Sequence, residues 1–229
     1  TGLAARAQTA GRGRRGHTWD STAGNLLLSI VVRPNVNPAK YSGLAAVCGL
    51  AVLKTLEKQG LATEIGLKWP NDLVARGRKL GGILVEAARD NEGKPFAVCG
   101  IGVNVSYTPS DVPDGGLPAI GLSNLNESVP SVDTLLDEVY HTVMDAVDAW
   151  AEQLNALADD AGPLAPVRDG YIARLNWIGE RVIARSPAGD ELARGIFRTV
   201  DDFGRACIET EDGLRSFHFE EASLRPLNG

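Results

Sequence analysis

Apolar residues recur along this chain in two patterns, one typical of β-strands and one typical of α-helices. Short runs rich in valine, leucine and isoleucine predict strands at residues 3–7, 25–32, 65–69, 72–75, 80–88 and 96–105. Apolar residues at helical spacing predict helices at 38–59, 131–157 and 166–175. The stretch 106–130 is rich in proline, glycine and serine, which predicts a loop.

The pattern changes near Asn176. From there the chain consists of short apolar runs separated by turn residues, at 181–185, 192–200, 206–209 and 214–219. Short strands at even spacing are typical of a small all-β barrel. The sequence therefore predicts two domains, residues 1–176 and residues 177–229.

The stretch Gln8–Trp19 fits neither a strand nor a helix. Three glycines in six residues make the backbone permissive, and three arginines lie between them. A guanidinium is a permanent planar cation suited to phosphate or carboxylate, and Trp19 offers a flat ring to the same ligand. The stretch alone fits a phosphate clamp about as well as it fits the alternatives, which are a solvated basic loop or a nucleic-acid-binding arm.

Composition narrows these alternatives. The formal net charge is −6, although the first twenty residues carry four arginines against one aspartate. A local cationic spot on an acidic body suits a small anionic ligand better than a long nucleic acid. The longest apolar run, 44–53, is shorter than the roughly 20 residues that a membrane helix needs. The three cysteines and three histidines lack disulfide-framework or metal-ligand spacing, which predicts reduced thiols, no metal centre and a cytoplasmic location.

A second group of polar residues lies at the end of the strand predicted at 65–69. Pro70 fixes its own φ and keeps Trp69 extended, so Asn71 and Asp72 project in fixed directions. If a hairpin turns at residues 76–77, an even-length loop places Asp72 opposite residue 79 or 81. Lys79 and Asp72 then share one face of the sheet, whereas a three-residue loop would separate them. A surface ion pair is the alternative interpretation.

Glycine pairs interrupt the next two predicted strands, at Gly81-Gly82 and at Gly100 with Gly102. Glycine inside a strand often marks a bulge or a place where a ligand lies against the backbone. Two such pairs on neighbouring strands beside Lys79 favour the interpretation that a ligand lies against the backbone there. Asn104 follows with an amide that could contact a base or a ribose.

Four motifs in the sequence resemble, in their order and spacing, the catalytic core of biotin protein ligases. They are QTAGRGRRG-x-x-W, KWPND, KLGGILVE and GIGVNV. The resemblance implies an α+β fold, with a mixed β-sheet flanked by helices and a small C-terminal SH3-like β-barrel. It also implies a two-step reaction. Biotin and ATP form biotinyl-5′-AMP and pyrophosphate, and a lysine of a biotin carboxyl carrier protein then takes the biotin as an amide.

The resemblance assigns roles by position. It implies catalytic roles for Lys79, Arg14 and Asp72. It implies biotin contacts from Gln8, Arg12, Gly13, Arg14, Lys79, Gly81, Gly82 and Gly102. It implies ATP contacts from Arg15, Trp19, Asn71, Asp72 and Asn104. Mg²⁺ carried by the phosphates would add to the positive charge that the α-phosphoryl group needs.

Three departures and two alternatives accompany this assignment. The chain has His17 where the family usually has another arginine, no upstream Ser-Thr-Asn segment against biotin, and no helix-turn-helix before the catalytic core. We therefore expect an incomplete N-terminal part, no repressor role, and a monomer or weak homodimer without nucleic-acid or membrane partners. A lipoate or octanoyl transferase of the same fold is one alternative function, and a nucleic-acid-binding module is the other.

Overall fold

A computed structural model describes residues 1–61, 64–109 and 116–227. Two antiparallel sheets account for its strands. The first sheet has the strand order β1-β2-β6-β5-β4-β3. Its strands are β1 (Gly2–Ala4), β2 (Leu26–Val32), β3 (Ile65–Lys68), β4 (Asp72–Ala75), β5 (Arg78–Arg89) and β6 (Pro95–Val103).

The expected mixed sheet is antiparallel along these named strands. Parallel pairing in the described residues is limited to two isolated bridges, Leu67 with Leu175 and Lys79 with Ala119. Each bridge pairs a residue outside the named strands with a strand of the first sheet. The two bridges connect the later part of the first domain to the strands that carry Lys68 and Lys79.

Two helices, α1 (Leu44–Lys58) and α2 (Val132–Asn155), pack against each other, and a short helix α3 (Arg168–Ile172) follows. The predicted helix 38–59 begins as a 3₁₀ turn, Pro38–Gly43. The α2 helix begins at a cap, where Ser131 Oγ accepts a hydrogen bond of 3.1 Å from the Thr134 N–H. Part of the predicted 106–130 loop, residues 110–115, lies outside the described residues.

One described stretch, Pro38–Lys58, is long and apolar enough to cross a membrane by length and composition alone. Its most apolar window is 67% buried inside the protein, and α1 packs against β5 and β6. Burial of this kind is what the core helix of a folded domain shows. The apolar character of α1 is therefore explained by its position behind the sheet.

The second sheet contains β7 (Arg181–Arg185), β8 (Glu191–Val200), β9 (Ala206–Thr210), β10 (Gly213–Phe217) and β11 (Ser223–Pro226), in the order β10-β9-β8-β7-β11. Four of these strands correspond to predicted ones. The fifth, β11, was not predicted, because its four residues alternate too briefly to form a recognisable pattern.

The turn between β8 and β9 holds the second sheet against the first domain. The indole Nε1 of Trp69 donates a hydrogen bond of 2.9 Å to the Gly204 carbonyl. The Leu164 N–H donates to the Asp202 carbonyl at 2.8 Å, and Arg168 forms an ion pair with the Asp202 carboxylate at 2.8 Å. Trp69 is 2% exposed, so this contact is a buried part of the core. The C-terminal domain is thus fixed next to the Lys68–Asp72 segment.

Candidate active site

A β-bulge sets the relative positions of Lys79 and Asp72. The hairpin turns at Arg76 and Gly77, which both have positive φ, as a two-residue turn requires. Lys79 lies opposite Val74, and the register then shifts so that Asp72 lies opposite Gly82. The predicted partner of Asp72, residue 79 or 81, was therefore wrong, because the bulge adds one residue to β5. The predicted shared face is observed: Lys79 Nζ lies 2.8 Å from Asp72 Oδ1.

Asp72 binds a second ammonium group on its other oxygen. Lys68 Nζ lies 3.2 Å from Asp72 Oδ2, and the Lys68 side chain is only 7% exposed. Burial raises the pKa of the Asp72 carboxyl, but the two ammonium groups outweigh burial and bring that pKa below its ordinary value. Burial lowers the pKa of Lys68, and the Asp72 charge opposes this effect. Asp72 therefore acts as the fixed anion that holds two cations in place.

A side-chain-free floor lies beside this ion cluster. Gly82 of β5 and Gly102 of β6 face each other directly across the two strands. A Cβ added to Gly82 would lie 3.7 Å from Lys79 Nζ, which shows that the ammonium group projects over this glycine. A Cβ added to Gly102 would lie 2.8 Å from the Trp19 ring, so the indole rests on the bare backbone.

Gly81 lies on the opposite face of β5. A Cβ there would meet the Gly102 carbonyl at 2.6 Å and the Leu73 side chain at 2.9 Å. Close packing between strands therefore explains this glycine, and the structure does not bring Gly81 to the ion cluster. Its predicted contact with biotin has no geometric support among the described residues.

The glycine–arginine stretch folds back on itself as a small hairpin. Arg12 pairs with Thr18, the Gly13 N–H donates to the His17 carbonyl at 2.7 Å, and the Trp19 N–H donates to the Gly11 carbonyl at 2.9 Å. The hairpin places Trp19 over β6 and within 5.4 Å of Lys79 Nζ, measured to the ring centroid. The Trp19 Nε1 atom is buried and has no hydrogen-bond partner among the described residues. An acceptor supplied by a ligand would satisfy it.

Arg14 connects this hairpin to the ion cluster. Its Nη1 donates to Asn71 Oδ1 at 3.1 Å, and its Nη2 donates to the Phe219 carbonyl at 2.7 Å. The guanidinium also lies 5.2 Å from the centroid of the Phe219 ring. Burial, followed by the neighbouring charge of Arg15, lowers the pKa of Arg14, yet a guanidinium stays charged in proteins. Three cations, Lys68, Lys79 and Arg14, thus surround one carboxylate, leaving positive charge for an anionic ligand.

Arg12 lies toward the other end of the same sheet face, and Gln8 lies beside Ser21 at the base of the hairpin. Arg12 Nη2 lies 2.8 Å from Glu86 Oε2, and Gln8 Oε1 accepts a hydrogen bond from Ser21 Oγ at 2.7 Å. Glu86 and Gly82 are four residues apart on β5, which is about 13 Å along a strand. Between them, Leu84 of β5 faces Gly100 of β6. The face is therefore a shallow trough with Arg12 near one end and Lys79 near the other.

Two residues predicted to contact the nucleotide, Arg15 and Asn104, form hydrogen bonds with protein groups. Arg15 Nη2 donates to three carbonyls of the C-terminal domain, those of Phe219, Glu220 and Ala222. The Asn104 side chain is buried, donates to the Ile120 carbonyl at 3.1 Å, and lies 3.4 Å from the Asn25 amide. Asn104 Nδ2 also lies 3.4 Å from the Lys79 carbonyl, so Asn104 borders the ion cluster. The contacts of both residues with ATP stay predictions.

Sequence reasoning assigned no role to several groups that complete this site. Lys68 belongs to a motif already singled out, and the place of Leu84 on this face follows from strand alternation once Gly82 is placed. Tyr171 donates its hydroxyl to the Pro70 carbonyl at 2.9 Å, and burial, aided by the Asp72 charge, raises its pKa. The role of the Phe219 carbonyl could not be predicted from the sequence, because every residue has a backbone oxygen.

The described residues include no group of three or more His, Cys, Asp or Glu side chains that could hold a metal ion. Asp72, the carboxylate of the cluster, is occupied by two ammonium groups. A cavity of about 310 Å³ opens next to Arg14 and Asn71. It continues past Pro70 to the rings of Phe203 and Phe219 in the C-terminal domain. Arg14 and Asn71 are thus reachable from the side where the two domains meet.

Comparisons with known proteins identify the family of this chain. The family described as "Biotin/lipoate A/B protein ligase family" matches residues 3–104, and "Biotin protein ligase C terminal domain" matches residues 177–225. The biotin--[acetyl-CoA-carboxylase] ligase of Mycobacterium tuberculosis is 37% identical over 212 residues, covering 90% of this chain and 72% of that protein. The ligase of the same name from Paracoccus denitrificans is 35% identical over 212 residues, covering 91% and 84%.

A solved structure supports the same assignment. The biotin protein ligase of Aquifex aeolicus, solved in complex with biotin and ATP, aligns with a TM-score of 0.77 at 25% identity. The alignment covers 98% of this chain and 88% of that one. Sequence motifs, family matches and fold therefore all lead to one conclusion: the chain belongs to the biotin protein ligase family.

Proposed function

We propose that Lys79 and Arg14 are the cations with which this ligase forms biotinyl-5′-AMP, and that Asp72 positions Lys79. A carboxylate oxygen of biotin attacks the α-phosphorus of ATP, the bond to the β-phosphate oxygen breaks, and pyrophosphate leaves. Negative charge builds on the α-phosphoryl oxygens, where fixed cations lower the barrier. The observation that carries this proposal is the Lys79–Asp72 pair, held over Gly82 beside Arg14 and Trp19.

We assign biotin to the trough between Arg12 and Lys79. Its length of about 13 Å suits a fused ring with a short acid chain. Gly82 and Gly100 bring no side chain to this face, and the Trp19 ring covers Gly102. Arg12 lies where the ring would be, and the ammonium of Lys79 lies where the carboxylate would be. A contact of Gln8 with biotin remains a prediction from the sequence. Gly13 shapes the hairpin through its bond to His17 and needs no direct contact with the ligand.

The nucleotide proposal rests on Trp19 and Asn71. The Trp19 Nε1 is buried and has no hydrogen-bond partner among the described residues, and the ring lies next to Lys79. A nucleotide could therefore contact both the indole and the ammonium group. Asn71 holds Arg14 toward the same place. Mg²⁺ would arrive with ATP, bound mainly by the phosphates, which is how this ion usually enters nucleotide sites.

In the second step the acceptor amine attacks the carbonyl carbon of biotinyl-AMP, an amide forms, AMP leaves, and the amine loses a proton to water. Asp72 is a poor base for that proton, because its two lysine partners depress its carboxyl pKa. The cavity beside Arg14 gives the amine a path to the site. We infer that the acceptor is a lysine of a biotin carboxyl carrier domain, since two relatives are named for acetyl-CoA carboxylase. A cytoplasmic location and a monomer or weak homodimer remain predictions.

The first test is exchange of labelled pyrophosphate into ATP. The protein should show exchange that depends on biotin, and exchange that depends on lipoate or octanoate instead would reassign the acid. Lys79→Ala should lower the exchange rate by about 10²–10³, because one transition-state cation is lost. Lys94→Ala is the control, since Lys94 forms an exposed pair with Glu92 in the turn after β5. Near-parental exchange by Lys79→Ala would remove this residue from the reaction.

A further inference from the structure

The Arg15 guanidinium lies against a turn of the C-terminal domain. Its Nη2 donates to the carbonyls of Phe219, Glu220 and Ala222 at 2.7, 3.0 and 3.1 Å. These carbonyls converge because the turn is helical, with the N–H groups of Glu221 and Ala222 both donating to the His218 carbonyl. A cation among converging carbonyl dipoles makes strong charge-assisted hydrogen bonds. The turn therefore forms a receptor for one guanidinium group.

Two features connect this contact to the reaction. Arg15 has a φ of 56°, a left-handed conformation that residues other than glycine rarely adopt. That conformation lies inside the three-residue turn that also contains Arg14. The Phe219 carbonyl accepts from both Arg14 and Arg15, each at 2.7 Å. Because they are adjacent and share one acceptor, fixing Arg15 also fixes Arg14.

We propose that Arg15 is a positioning residue through which the C-terminal domain keeps the glycine–arginine hairpin closed over biotinyl-AMP. Arg15 touches no reacting atom and acts through Arg14. Loss of the Arg15 contact frees the hairpin at its C-terminal anchor, while the Lys79–Asp72 pair stays intact. The intermediate then leaves before the acceptor arrives. A stray lysine attacks the released mixed anhydride, forming an amide, while AMP leaves and the proton passes to water.

This inference rests on the proposed function, so its test uses a parent protein that has shown biotin-dependent pyrophosphate exchange. The measurement is the ratio of biotin on an unrelated lysine-rich protein to biotin on a carrier domain, at equal adenylate synthesis. The variant is Arg15→Asn, because asparagine tolerates a left-handed φ but is too short to reach the three carbonyls. The ratio should rise about tenfold or more.

Two matched variants make the result specific. Arg15→Lys should restore most of the parental ratio, because an ammonium can also donate to several carbonyls. Arg215→Ala removes another exposed arginine that donates to a carbonyl of the same domain, that of Leu192 at 2.8 Å, and should keep the parental ratio. The proposal is overturned if Arg15→Asn keeps the parental ratio or if Arg215→Ala raises it equally. It is also overturned if Arg15→Asn only slows adenylate synthesis, since Arg15 would then act on the nucleotide.

Discussion

Asp72 is the residue on which the charges of the site depend. Its carboxylate is 15% exposed and bonds to Lys68 on one oxygen and to Lys79 on the other. A buried ion cluster contributes little beyond an apolar replacement, but removing one member leaves the others without compensation. Lys68 is the vulnerable partner, since its side chain is 7% exposed. Substitutions at Asp72 should therefore affect folding as well as catalysis.

Asp72→Asn should lower the free energy of unfolding by about 3–5 kcal/mol, because it leaves the Lys68 ammonium buried without an anion. Urea unfolding measures the difference. Asp133→Asn is the control: it removes an exposed partner of Arg6, so unfolding should not change measurably. Equal effects of the two substitutions would show that the Asp72 cluster is screened like a surface pair.

The same carboxylate predicts a pH dependence. The folded pKa of Asp72 lies below its unfolded value of about 3.9, so the unfolded chain binds the proton more tightly. The stabilisation is fully present above that unfolded value and is lost as the pH falls below it toward the folded pKa. The difference in unfolding free energy between parent and Asp72→Asn should stay constant from pH 5 to 8, as estimated from these pKa values. It should shrink below about pH 4. A difference that already declines near pH 6 would contradict this account.

Among the elements, the glycine–arginine hairpin has the least room for change. Gly11 is buried, and a Cβ there would collide with Ser21 Oγ and with the Trp19 carbonyl oxygen. Hairpin closure therefore requires glycine at this position, because the Trp19 oxygen belongs to the backbone and cannot rotate away. Arg14 and Trp19 both depend on that closure for their positions.

Gly11→Ala should consequently lower pyrophosphate exchange by about tenfold to a hundredfold, as expected for an overpacking strain of 1–3 kcal/mol. Far-UV circular dichroism should remain parental, because the hairpin lies outside both sheets. Gly170→Ala in α3 is the control, since a Cβ at that position meets nothing within 4 Å. Parental exchange by Gly11→Ala would mean that the hairpin can close in another way.

The sequence predicted most strands and both long helices, because the apolar pattern in each continues over enough residues to be recognised. It also predicted that Lys79 and Asp72 share a face. It did not predict that Asp72 pairs with Gly82, because a bulge depends on packing across the sheet and leaves the apolar pattern unchanged. The carbonyl contacts of Arg15 could not be predicted either, since their acceptors lie 204 to 207 residues further along the chain.

At the scale of the whole molecule, the two domains meet around Trp69. This indole is buried in the first domain and donates to Gly204 in the turn between β8 and β9. Because Trp69 precedes Asn71 and Asp72 by only two or three residues, the same segment supports the ion cluster and the domain contact. Movement of the C-terminal domain would therefore be transmitted to the site.

Trp69→Phe should loosen the C-terminal domain, because the Gly204 carbonyl loses its donor and the contact loses part of a large ring. Limited proteolysis should cut within residues 177–227 faster than in the parent. Tyr171→Phe is the comparison, since it removes a donor to the Pro70 carbonyl inside the first domain. Equal cleavage of the two variants would show that the indole does not hold the domains together.

The contact of Arg14 and Arg15 with residues 219–222 has a consequence for biosynthesis. Arg14 and its acceptor, the Phe219 carbonyl, are 205 residues apart, so the ribosome makes the hairpin well before the acceptor turn. At about 5–20 residues per second, roughly 10–40 seconds separate the two. During that time the first sheet can fold while both guanidinium groups have no carbonyl partner. We therefore expect the hairpin of a growing chain to lack its C-terminal anchor until residues 219–222 have been made and folded.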